Sequence, residues 1–157
     1  MKKLSYKLTL CVLTILIIFL ASCSNTVNGN SNTETWANIS NKRDLIGTWQ
    51  ADFYANGAHD TNTIYVGSNC AGYLRMEEDY SGTAQEYQNN IPAIISTLQN
   101  SGYTCTNNTA NKKFTASINF TSADLDTLIS VGEMQINSSK NKIRITSVGN
   151  TAEYVKQ

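Results

Sequence analysis

The sequence predicts a mainly β domain: a small antiparallel up-and-down barrel or sandwich of about seven or eight strands with one short helix near 91–100. Three observations lead there. Apolar and polar residues alternate in most segments after residue 44, turn-forming residues separate those segments, and only one stretch carries helical spacing. Alternation of period two puts every second side chain on the same face of a strand, so each segment can bury one face and wet the other.

The elements follow in order. Leu45, Gly47, Trp49, Ala51 and Phe53 alternate with Thr48, Gln50 and Asp52 as a first strand. Asn56-Gly57 then marks a tight turn, because both central positions of a type I′ turn need positive φ. Residues 63–66 and 71–76 read as the next two strands, Glu77-Glu78-Asp79 as an acidic turn, and residues 83–87 as an edge segment. Ile91, Ile94, Ile95 and Leu98 fall at i, i+3, i+4 and i+7, which predicts a helix from about 91 to 100. Asn90 suits its cap, Pro92 its first turn and Gly102 its C-terminal stop. Residues 105–111 read as a polar turn. Phe114, Ala116, Ile118 and Phe120 then alternate with Thr115, Ser117 and Asn119 as the clearest strand. Residues 124–130 fit either a helical turn or a strand, 132–136 and 142–146 form a hairpin across 137–141, and 151–156 close the chain as a last strand.

Residues ahead of the domain carry a different signal. Lys2, Lys3 and Lys7 flank the start of an apolar run from Leu8 to Leu20 that is broken only by Thr9, Cys11 and Thr14. That is the length of a secretory signal and short for a bilayer span. At its end, Leu20-Ala21-Ser22-Cys23 resembles the lipobox of bacterial lipoproteins. The resemblance implies that 1–22 is a signal peptide, that Cys23 is acylated, and that the protein sits in the cell envelope on a membrane held by its N-terminal lipid. Several acyl chains on one residue anchor stably where a single chain does not. Ser24 is not the aspartate that retains some members of that family at an inner membrane, which points to an outer membrane in a cell that has one. Residues 23–43, rich in Asn, Ser and Thr, bury too little to offset their ordering entropy and read as a flexible tether. Residues 44–157 then form one domain.

Composition narrows the function classes. Loss of the signal removes three lysines and leaves the mature chain mildly acidic, with Lys112-Lys113 as its longest basic run near the middle. Such a surface argues against nucleic acid as a partner. Beyond Cys11 and Cys23, the cysteines are Cys70 and Cys105. In an exported chain the expectation is a Cys70–Cys105 disulfide, closing a loop of roughly 35 residues and contributing about 3 to 4 kcal/mol; the alternative is two buried free thiols. His59 is the only histidine and there is no Cys-x-x-Cys, so a zinc site is not expected. Glu77, Glu78 and Asp79 lack the spaced glycine and oxygen ligands of a calcium loop. No nucleophile elbow or phosphate loop is present, so no catalytic residue, metal or cofactor is expected.

Gly47-Thr48-Trp49 is similar to the opening strand of lipocalin-like domains, and Tyr154-Val155-Lys156 to their closing strand with its aromatic and basic residues. The resemblance implies a meandering barrel in which Gly47 bends the first strand, Trp49 plugs the closed end and Arg144, the late-strand arginine, packs over Trp49. It also implies a non-catalytic domain whose barrel mouth takes a small apolar or amphipathic ligand. Two alternatives remain: an envelope inhibitor or adhesin that grips a protein partner through its loops, as lysozyme-inhibitor lipoproteins do, and a structural lipoprotein with no ligand. The interior discriminates, because Trp49, Phe53, Phe114, Ile118 and Phe120 would leave no cavity if they fill it.

Overall fold

The computed structural model describes residues 34–55, 58–147 and 150–157; the expected signal peptide, Cys23, the expected tether as far as residue 33 and the expected Asn56-Gly57 turn lie outside the described residues. The described chain is mainly β, as the alternation predicts. It forms one antiparallel sheet from β1 (Trp36–Asn38), β2 (Gly47–Ala55), β3 (Ala58–Val66), β4 (Gly72–Tyr80), β5 (Thr104–Asn108), β6 (Lys113–Phe120), β7 (Gln135–Asn137), β8 (Lys142–Ser147) and β9 (Asn150–Lys156). Helix α1 (Ala84–Asn100) joins β4 to β5, and α2 (Ser122–Val131) joins β6 to β7. The strand order is β1-β7-β8-β9-β2-β3-β4-β6-β5, so the sheet is not closed and β1 and β5 are its edges. The two ends of the domain still meet, because β9 lies beside β2 with Trp49 opposite Lys156.

Several elements differ from the sequence expectation, each for a visible reason. Strands β3 and β4 run further than their apolar centres suggest and pair along their whole length, from Ala58 opposite Tyr80 to Val66 opposite Gly72. The acidic triplet is therefore strand and not turn. Glu77 and Asp79 face outward to Arg75 and Lys113, at 2.6 and 2.7 Å, while Glu78 turns inward. Residues 84–87 belong to α1 and not to an edge segment. Thr83 caps the helix by a capping box with Glu86, and Pro92 lies inside the helix, not in its first turn. Residues 105–108, read as part of a polar turn, belong to edge strand β5. Residues 122–131 are helical, with Thr121 and Asp124 forming a second capping box.

The tether is also shorter than its composition suggests. Residues 36–38 pair with β7, and a 3₁₀ helix covers Lys42–Leu45. Leu45 is fully buried, and Ile39 packs against the core. The 137–141 connection is fixed by the buried Asn137, whose Oδ1 accepts the backbone N–H groups of Asn141 and Lys142.

Two separate hydrophobic clusters line the inner face. One gathers Trp49, Ile64, Val66, Phe120, Leu125, Ile143 and Tyr154 between α2 and the β9–β2–β3 region. The other gathers Met76, Tyr87, Ile91, Ile95, Leu98 and Phe114, and forms where α1 lies over β4, β6 and β5.

Candidate functional site

The seam between those clusters holds the most unusual chemistry in the fold. Strand pairing lines up Phe53, Asp60, Glu78, Phe114 and Asn107 as one row across β2, β3, β4, β6 and β5. Residues directly opposite across antiparallel strands share a face. Phe53 packs against the first cluster and Phe114 belongs to the second, so Asp60 and Glu78 stand where the two meet. Both carboxylates are buried, at 6 % and 8 % exposure. Asp60 Oδ1 is enclosed and has no hydrogen-bond partner.

Burial without compensation has the expected electrostatic effect. Loss of water raises the Asp60 carboxyl to about 6, against a modest opposing pull from His59. It raises Glu78 to about 7, and the Asp60 charge pushes the same way. The Tyr87 hydroxyl, held by Asn107 at 2.7 Å, is likewise raised by burial and then by Glu78. The row therefore combines a carboxyl pair that titrates near neutrality with aromatic side chains on either side. It can accept hydrogen bonds or positive charge, and can hold or release a proton. Among the described residues no three metal-ligating side chains converge, so a metal ion here would find at most two protein carboxylates.

The residues singled out by sequence fall elsewhere. Cys23 lies outside the described residues. Trp49 is fully buried and donates from Nε1 to the Leu45 carbonyl at 2.7 Å. Gly47 has φ +133°, open to glycine, and a Cβ there would meet the Lys156 side chain at 2.9 Å. Arg144 does not pack over Trp49. It stacks on Trp36 at 4.0 Å and pairs with Glu153, while Lys156 stands 5.0 Å from the Trp49 ring centre. The strand order explains the exchange, since β9 and not β8 is the neighbour of β2.

The expected Cys70–Cys105 bridge is not formed; both thiols are free. Cys70 lies in the β3–β4 turn with the first cluster, near Gly72, which pairs with Phe120. Cys105 pairs with Ala116, four residues back along β6 and on its far side, packed against the second cluster. Four residues of strand span about 13 Å, well beyond disulfide reach. Burial raises the Cys105 thiol.

His59 lies on β3, not in a loop, and faces outward. It stacks on Tyr54 and its Nε2 is 3.2 Å from Asp52 Oδ1, which also accepts from Thr61 at 2.7 Å. A second aromatic pair, Tyr65 and Tyr73, stacks on the same face. A groove of about 460 Å³ opens beside β1 and β7, lined by Ile39, Ile129 and Met134 together with Glu133 and Gln135.

Asp60 and Glu78 were hidden from sequence reasoning because their neighbours look like turns. The signal that finds them is phase: Asp60, Asn62 and Ile64 keep period two on one strand, and Leu74, Met76 and Glu78 keep it on the next. No family model, curated protein or solved structure matches the chain.

Proposed function

We propose that the protein is a lipid-anchored envelope lipoprotein whose β domain is a non-catalytic binding module for a small amphipathic ligand. The signal-like run ending at Cys23 supports the anchor. The observation that carries the binding reading is the unpartnered Asp60 oxygen, enclosed at the seam of two hydrophobic clusters. A buried acceptor left without a donor costs on the order of 1 to 3 kcal/mol, which a ligand that supplies the donor recovers. Trp49, Phe114 and Phe120 fill the interior, so the ligand has no barrel cavity to enter and meets the seam where the partly buried Phe53 and Tyr80 supply apolar surface on either side.

A protein-binding role has its own support in the outer face, where Tyr54 and Tyr65 are 67 % and 40 % exposed beside their stacked neighbours. Aromatic surface of this kind suits the centre of a protein interface.

Native mass spectrometry of the protein purified from its own host's extract separates the readings. An adduct of small-molecule mass, lost on denaturation, supports the module; a bare chain moves the search to protein partners. The anchor has its own test. Cys23→Ala is expected to move the protein from the membrane to the soluble fraction and to abolish labelling by radioactive palmitate; persistent labelling excludes acylation at Cys23.

A further inference from the structure

The ligand's chemical class can be read from the same seam, and the argument rests on the binding-module reading above. Asp60 and Glu78 are directly opposed on neighbouring strands, and like charges so placed repel. One row along on the same face stand Asn62, Met76 and Ala116, so among the described residues the buried carboxylates are confined to this one row. The surroundings do not neutralise the pair. Asp60 has an oxygen with no partner. His59, next along β3, directs its ring outward to Asp52 and Tyr54. Across β4 and β6, Arg75 and Lys113 are taken up by Glu77 and Asp79 on the outer face. Lys112 spends its ammonium on the Gly82 carbonyl at 2.6 Å. From α1 the facing titratable group is Tyr87, whose hydroxyl is committed to Asn107.

What is missing is a donor with positive charge. Aromatic rings beside that position favour a cation too: Phe53 and Phe114 flank the pair in its row, and Tyr80 and Tyr87 meet edge to face at 5.9 Å. Two carboxylates cannot complete the six to eight oxygens that calcium takes, whereas an ammonium group needs only three acceptors and an apolar body to accompany them.

We propose that Asp60 and Glu78 form the anionic end of a site for a small organic ammonium ion, its apolar or aromatic body lying between the two hydrophobic clusters. The cation supplies donors to both carboxylates and relieves their repulsion. Binding is tight when both are ionised and weakens as they are protonated below neutral pH.

The test is calorimetric titration of the full chain in non-ionic detergent with 2-phenylethylamine, and with 2-phenylethanol as its uncharged counterpart. The amine is expected to bind at pH 8 at least about tenfold more tightly than the alcohol, the span of one charge-assisted hydrogen bond. The advantage is expected to vanish at pH 5 and in Asp60→Asn and Glu78→Gln, both near-isosteric and checked for folding by circular dichroism. Equal binding of amine and alcohol overturns the cation assignment and leaves the binding module standing. Calcium binding that is lost in Asp60→Asn, with no amine binding, also overturns it. Failure of both organic probes together with a bare chain from host extract overturns the module reading as well.

Discussion

Trp49 combines burial with a satisfied polar edge. Its ring has no exposed surface, its Nε1 donates to Leu45, and the Lys156 ammonium stands over its face. Truncation leaves a large cavity in the first cluster, so Trp49→Ala is expected to cost about 3 to 5 kcal/mol in chemical denaturation. An unchanged midpoint would place the core elsewhere. The core role of Trp49 was legible because alternation assigns its face without any knowledge of neighbours. The cation above it was not legible. Which basic residue arrives there depends on which strand lies beside β2, and that choice brings Lys156 in and sends Arg144 to Trp36. The same limit applies to the cysteines, whose separation along the chain carries no information about the width of sheet between them.

Helix α1 shows the boundary between local and tertiary information. Ile91, Ile95 and Leu98 mark its buried stripe, and Tyr87 extends that stripe by one turn toward the N-terminus. The other residues from 84 to 90 are exposed, and all but Ala84 are polar, so periodicity fades there although the helix continues. Its start is set by chemistry at Thr83, whose Oγ1 accepts from the Glu86 N–H at 3.2 Å while Glu86 returns to the Thr83 N–H at 2.8 Å. Thr83→Ala is expected to cost about 1 kcal/mol, seen as an earlier denaturation midpoint. Strand β5 is the opposite case. Thr104, Thr106, Asn107 and Asn108 carry almost no apolar pattern, and they become strand only because β6 offers an edge.

At the scale of the whole molecule the carboxyl pair contributes a pH response of its own. A carboxyl raised by folding binds its proton more tightly in the native state than in the unfolded chain. Its contribution is therefore complete below the ordinary carboxylate range and is lost as pH rises through the folded value. For Asp60 and Glu78 that loss runs from about pH 4 to about pH 6 and 7. Glu86, lowered by its bonds to Thr83, acts in the opposite direction and loses its contribution on acidification. The melting temperature is expected to fall between pH 5 and pH 8, and Glu78→Gln is expected to flatten that fall; parallel curves would show that Glu78 ionises freely in the folded protein. The mainly β character could be read from the sequence because it depends on local alternation. The open sheet, the two clusters and the carboxyl row could not, because each depends on register between strands.

The N-terminal edge of that sheet also has a mechanical consequence. Strand β1 is held by three residues of pairing with β7, by the Trp36–Arg144 stack and by the Glu34–Lys142 ion pair at 2.9 Å. On the lipid-anchored reading, any pull between envelope and domain arrives at these contacts first, while Leu45 and Trp49 lie behind them in the core. Peeling residues 34–43 from the domain would lengthen the connection by at most roughly 35 Å, at about 3.5 Å per residue. The domain would then ride on a longer leash with its core unloaded, and the first strand would serve as a sacrificial link rather than as part of the wall.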